Sequence, residues 1–313
     1  MYMAVVFEFE AGKDFHFSSA FAKRFDREAV NNRVSLPESL GDGFIQEVYL
    51  DNGLSLCLHH YTLREEFILR RRPSGASNVL TIKFDNKRTL GVEFGTSNFF
   101  TELKVPPHEE INFLVIVITR QALLYLLQFE QGGSEMERTI RDNPSFVLHE
   151  GMTREMERSL HQLNLVDKTT KLPGLLYQTR ALELIYLLFD KILSRKTGTS
   201  ISVNPEDVQK IYTIRATILS DLSAPPQLPE LARKSGLSST KMKQLFRQIF
   251  GDSIYNYYQA ARMNEAAQLL KDLSVSQVGY SIGFSNLSHF TRLFEKHHQM
   301  KPKRYKDTFS IDR

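Results

Sequence analysis

The sequence predicts an α+β chain, with a strand-rich amino-terminal barrel flanked by helices and an all-α carboxy-terminal third. Three observations predict it. Short β-branched and aromatic runs recur at intervals of roughly ten to fifteen residues between 44 and 118, the spacing of an antiparallel barrel or sandwich. Helical periodicity replaces them from residue 120 onward. The small polar stretch SRKTGTSISVN (194–204) then marks a boundary, giving regions 1–195, a linker 196–204 and 205–313.

The strands follow in order. FIQEVYL (44–50) and LSLCLHHY (54–61) flank Asp51-Asn52-Gly53 and read as a hairpin, because Asn-Gly supplies the positive φ of tight turns. EEFILRR (65–71), NVLTIKF (78–84), SNFFTEL (97–103) and INFLVIVI (111–118) continue the set, and the region before 44 adds an edge strand. Helical spacing appears at 120–129, 154–163 and 175–193. The last, LLYQTRALELIYLLFDKIL, is apolar around much of its circumference, which suits burial against the barrel and a dimer interface equally. Beyond the linker, helices are expected at 205–221, 228–234, 238–250, 253–271, 276–282, 285–298 and 302–308, with serine N-caps or with Gly236 and Gly251 as stops.

Composition excludes several classes. No run of about 18 apolar residues exists to span a bilayer, and the amino terminus lacks a signal-like apolar run, so a cytoplasmic location is expected. One cysteine, Cys57, allows neither an internal disulfide nor a cysteine-based zinc site. Charge is divided unevenly. Residues 204–313 hold 16 Lys and Arg against 10 Asp and Glu, whereas the first 203 hold 24 against 26. A basic last third suits a polyanionic partner.

That third contains a repeat. LPELARKSGLSSTKMKQLFRQIFG and VSQVGYSIGFSNLSHFTRLFEKHH each place a short helix, a glycine turn and a longer helix in series, with Gly236 and Gly283 47 positions apart. In the first long helix Met242, Leu245, Phe246 and Ile249 form one apolar stripe, leaving Thr240, Lys241, Lys243, Gln244, Arg247 and Gln248 outside. In the second, Phe290, Leu293 and Phe294 face inward and Asn286, Ser288, His289, Thr291, Arg292 and Lys296 face out, after an N-cap at Ser285. Such residues hydrogen-bond base edges and phosphates, and an α-helix fits the major groove. The histidines do not form a metal pair. His289 and His297 are eight residues apart and His298 is rotated about 100° from His297, whereas helical zinc pairs sit at i and i+4. His297 is placed near the core stripe, where it can cap the helix end, and only His289 shares the outward face with Arg292.

Residues 205–309 resemble the DNA-binding domain of the AraC/XylS family of bacterial transcription regulators. The resemblance is carried by Leu231-Ala232, Gly236-Leu237-Ser238, Leu245-Phe246, Gly251, Arg262, Ala266, Leu269-Leu270, Gly283-Phe284, Ser288, Phe290, Arg292, Phe294, Pro302 and Tyr305. It implies two helix-turn-helix units joined by a long helix and entering successive major-groove segments of promoter DNA. Base-edge contacts then come from Thr240, Lys241 and Gln244 in the first unit and from Leu287, Ser288 and Arg292 in the second. Arg292 stands out, since a guanidinium can grip guanine O6 and N7 together. Lys243, Arg247, His289, Thr291 and Lys296 are placed as phosphate contacts. Two residues depart from the family pattern. Gly279 stands where alanine is usual, which loosens its helix, and Gln299 replaces the usual glycine before the last helix.

The amino-terminal strands and helices resemble the family's ligand-sensing half, a small cupin-like barrel. Residues 36–63 and 225–246 are similar to regulators that respond to ferric siderophores, which makes such a siderophore the effector implied, with no resident cofactor. The family also implies activation through RNA polymerase, and helices 120–129 and 175–193 offer a homodimer interface. The rival class is a cupin-type metal enzyme or a DNA-repair methyltransferase fused to a DNA-targeting tail. A metal enzyme needs converging ligands, yet His59 and His60 are adjacent on a strand and point to opposite faces, and His108 follows Pro106-Pro107. Methyl transfer needs an activated cysteine, whereas Cys57 lies in an apolar strand. Arg70, Arg71 and Arg72 read as the mouth of an anion site or as a solvated strand end.

Overall fold

The structure is a computed structural model that describes residues 5–10, 15–50, 53–73, 78–85, 91–129, 134–142, 145–167, 169–195 and 204–310. Residues 196–203 of the expected linker, and Asp51 and Asn52 of the expected turn, lie outside the described residues. The chain divides into two compact units, Met1–Glu206 and Asp207–Arg313.

In chain order the first unit comprises β1 (Val5–Glu10), α1 (Phe17–Arg24), β2 (Arg33–Ser35), β3 (Gly41–Leu50), β4 (Leu54–Leu63), β5 (Phe67–Arg72), β6 (Val79–Asp85), β7 (Gly91–Thr96), β8 (Thr101–Val105) and β9 (Glu110–Thr119). α2 (Arg120–Leu127), α3 (Glu135–Asp142), β10 (Val147–Glu150), α4 (Arg154–Asn164) and α5 (Pro173–Leu193) follow.

The strands build a seven-stranded sheet, ordered β10-β7-β6-β9-β4-β3-β2, and a three-stranded sheet, β1-β5-β8. Their ladders are separate, so the barrel expected from strand spacing is open rather than closed. The reason lies in β4 and β9, which are apolar on both faces. Leu54, Leu56, Leu58, Leu114, Ile116 and Ile118 point to a core shared with α2–α5. Cys57, Tyr61, Leu63, Ile111 and Phe113 point to a second core made with α1, β1, β5 and β8. A central layer buried on both sides needs two covers, and the helices and the small sheet supply one each.

Other expectations shift. β1 pairs in parallel with β5, Val5 opposite Phe67, so the region before residue 44 supplies two strands and a helix rather than a lone edge strand. The strand expected at 97–103 is shortened and shifted: 97–100 are not strand, β8 covers Thr101–Val105, and β7 (Gly91–Thr96) precedes it as a strand not expected. Arg70 and Arg72 pair with Glu102 and Glu8 at 2.7 Å each, and Arg72 is exposed, so the strand end is solvated and its charge is matched by carboxylates rather than left open for an anion.

His59 is buried between the sheets, stacked on Phe113 at 4.0 Å with its Nε2 3.3 Å from Cys57 Sγ. Burial, aided by the Lys83 ammonium, pushes the imidazole down from its ordinary value to about 3. The unfolded chain therefore takes up a proton below pH 6.5 that the folded sheet refuses until about pH 3. Stability is lost as pH falls through that window, by up to about 1.4 kcal/mol per pH unit for one proton. Urea unfolding followed by circular dichroism should show this slope, and His59→Phe should flatten it by one proton; an unchanged slope would remove His59 as its source.

Candidate nucleic-acid interface

The second unit is all-helical: α6 (Pro205–Ser220), α7 (Leu228–Ser235), α8 (Ser239–Phe250), α9 (Ile254–Leu269), α10 (Val275–Ser281), α11 (Leu287–His298) and α12 (Pro302–Ser310). Local chemistry sets the boundaries. Gly236 ends α7 in the left-handed region at φ 66°, and Ser238 Oγ then accepts the Lys241 N–H at 3.2 Å to start α8. Ser274 and Gln277 form a reciprocal capping box at the head of α10. The cap of α11 is Asn286 rather than Ser285. Its Oδ1 accepts from the N–H groups of Ser288 and His289 at 2.9 and 3.1 Å, satisfying two of the free donors at the start of α11.

Both long helices present a polar face backed by aromatic packing. Met242, Phe246, Ile249 and Phe250 are buried beneath α8, with Phe246 and Tyr257 edge to face at 5.3 Å. Phe290 and Phe294 are buried beneath α11, in a core with Met263, Ala266, Leu270, Val278 and Ile282. The α10–α11 turn is anchored from α9 by Arg262. This buried guanidinium donates to Ile282 O through Nε at 3.1 Å and Nη2 at 2.6 Å, and lies 4.0 Å over the Phe284 ring. At Gly283, φ 82°, an added Cβ would come within 1.9 Å of Ser223 O, so no side chain fits that turn.

Thr240, Lys243, Gln244 and Arg247 lie exposed at i, i+3, i+4 and i+7, as one stripe along α8. Ser288, His289, Arg292 and Lys296 are exposed on α11. Lys243, Arg247, Arg292 and Lys296 form no ion pair among the described residues. Lys241 does: its Nζ lies 2.7 Å from the Asp207 carboxylate on α6. Leu287 is half-buried and packs into the notch left by Gly279, where an alanine Cβ would meet its Cδ2 at 2.5 Å. Gly279 thus makes room for the head of α11 instead of merely loosening α10. Thr291 turns its hydroxyl back to Leu287 O at 2.9 Å.

The histidine closing α11 is His298, not His297. His298 Nε2 lies 3.0 Å from Met263 O and its ring packs against Phe294 and Tyr305, while His297 is exposed. The one-residue difference follows from the helical period: His298 continues the buried Phe290 and Phe294 row at steps of four, and the helix then ends at Gln299, which sits in the left-handed region at φ 56°.

The chemistry of the rival classes is displaced. His59 is buried, His60 is half-buried on the opposite sheet face and His108 is exposed. Among the described residues no group of three or more His, Cys, Asp or Glu side chains could hold a metal ion. Burial, reinforced by Glu47, pushes the Cys57 thiol well above its ordinary value, the reverse of an activated nucleophile. No helix among the described residues is long and apolar enough to cross a membrane.

Comparison with known proteins agrees with this geometry. A helix-turn-helix domain family model matches residues 231–308. The probable transcription factor PqrA of Proteus vulgaris is 31% identical over 83 residues, 26% of this chain and 68% of PqrA. The regulatory protein PchR of Pseudomonas aeruginosa is 35% identical over 66 residues, but these cover only 22% of its length and 21% of this chain. An AraC-type regulator structure from Chromobacterium violaceum is 26% identical, covering 34% of this chain and 96% of that one, with a TM-score of 0.32. Two helix-turn-helix units on a shared helical core define an AraC-type DNA-binding transcription regulator. The chain belongs to the AraC/XylS family.

A non-glycine residue at positive φ carries strain that glycine lacks. Gln299→Gly should therefore stabilise the helical unit by about 0.5–1 kcal/mol. Thermal unfolding followed by circular dichroism measures it, and a destabilised variant would show that the Gln299 contact with Lys296 O, at 3.0 Å, outweighs the strain.

Proposed function

We infer that the chain is a dimeric, ligand-responsive activator that reads successive major-groove segments of promoter DNA with α8 and α11. One observation carries this reading: exposed cations that form no ion pair among the described residues stand on both capped helices, each backed by buried aromatic side chains. The α8 stripe keeps Thr240 and Gln244 as base-edge contacts and Lys243 and Arg247 as phosphate contacts, while Lys241, held by Asp207, moves from the base-edge set to the flank of the helix. On α11, Ser288 and Arg292 read bases while His289, Thr291 and Lys296 meet phosphates. The packing of Leu287 against α10 leaves it to touch a base only through its exposed edge.

The first unit is the sensing half in this reading, an open variant of the cupin-like arrangement. Its inter-sheet face is not wholly apolar. Lys83 pairs with Asp85 at 3.0 Å and His149 with Glu93 at 3.3 Å on β6, β7 and β10, polar groups that a ligand could engage. A ferric siderophore is the effector class implied by the sequence resemblance, and recruitment of RNA polymerase is the output implied by the family.

Pairing of two copies through α5 supports the dimer. Leu175, Leu182, Tyr186 and Leu193 are exposed at successive spacings of seven, four and seven, a heptad seam. Ala181, Leu184, Leu188 and Ile192 bury the opposite side. Tyr125 and Leu126 on α2 are exposed as well.

Arg292→Ala should weaken binding to a duplex selected from a random pool by about 1–3 kcal/mol more than binding to random DNA. Fluorescence anisotropy measures both, and an equal loss would reduce Arg292 to a phosphate contact. Leu182→Asp should convert a dimer to monomer in analytical ultracentrifugation while the circular dichroism spectrum of the fold is retained; a dimer that persists would place the interface elsewhere.

A further inference from the structure

Among the described residues Lys243 and Arg247 extend from α8 without an ion-pair partner, whereas Lys241 is held. Its ammonium lies 2.7 Å from Asp207, in the first turn of α6. Asp207 is 8% exposed, so its carboxylate would be costly to leave unpaired. Helix capping does not account for it. Asn204 Oδ1 already accepts the Glu206 N–H at 2.9 Å, and Glu206 supplies a first-turn carboxylate of its own. The Lys241 backbone is anchored as well, because its N–H is the group that the Ser238 cap holds at 3.2 Å.

We propose that Asp207 is an internal stand-in for a DNA phosphate, occupying Lys241 in the free protein and setting the affinity of the first reading helix. The inference rests on α8 being a DNA-reading helix. A carboxylate and a phosphate oxygen accept the same ammonium hydrogen bonds. When a duplex approaches, the ammonium either stays on Asp207, which then presents a negative group beside the backbone, or moves to a phosphate and leaves Asp207 bare. Both outcomes weaken binding relative to a chain lacking that charge. The effect is independent of sequence, because it acts on backbone contacts rather than base edges.

Asp207→Asn in the full chain tests this, with anisotropy titrations of a pool-selected duplex and a random duplex across a potassium chloride series. The variant should bind both roughly two- to five-fold tighter, the worth of one partly exposed ion pair. The slope of log affinity against log salt should steepen by about 0.9, one additional phosphate contact. Asp207→Ser, checked for folding by circular dichroism, should give the same gain. In a Lys241→Gln background the gain should vanish. Unchanged affinity and slope would overturn the proposal, as would a gain that persists without Lys241. A wild-type chain that retains neither duplex would overturn the reading of α8 itself, and this inference with it.

Discussion

The bond from the Arg262 guanidinium to the Ile282 carbonyl is the interaction on which the second helix-turn-helix unit depends. A carbonyl at a helix end lacks an intrahelical donor, and here it receives two charged N–H groups from inside the core. The same guanidinium lies over Phe284 and 5.1 Å from the Tyr258 ring, so one side chain joins α9, the end of α10 and the start of the turn into α11. Without it the buried carbonyl would be unsatisfied and the turn would lose its register. The sequence shows an arginine here, in a helix whose face looks otherwise unremarkable, and only the fold shows what it holds.

The first unit is organised by a different constraint. Strands β4 and β9 bury both faces, so each needs two covers, and residues scattered along the chain provide them. One polar group buried in this layer, Glu47, is tied down on several sides. Glu47 accepts from the N–H groups of Phe17 and Ser18 and from the Ser18 hydroxyl, and thereby caps α1 from across the core. Tyr49 donates to the same carboxylate at 3.0 Å. The unit is thus rigid where α1 meets β3 and charged where β6, β7 and β10 line the other end of the same face.

Much of the second unit was legible because its determinants are local. Gly236, Gly251, Ser238 and the apolar stripes act within one or two helical turns, and period and caps reveal them directly. What was hidden is non-local. Nothing near Lys241 marks Asp207, 34 positions earlier, as its partner, and nothing near Leu287 announces the notch at Gly279. The N-cap of α11 moved from Ser285 to Asn286 because adjacent polar residues compete for the same donors. In the first unit the short strands β2 and β10 carry too few residues to show a period, and the parallel pairing of β1 with β5 joins segments some sixty residues apart. Strand spacing alone could not tell a closed barrel from two separate ladders.

The approach of Gly283 to Ser223 has a consequence for how the chain can vary. The loop after α6 and the turn of the second helix-turn-helix meet backbone to backbone, with no side chain to trim or repack. Core positions tolerate swaps among residues of similar volume, but a contact between two main chains offers no such latitude. The loop after α6 and the second turn are therefore joined at a point that sequence drift cannot soften gradually, and Gly283 should resist replacement in any variant that keeps this fold.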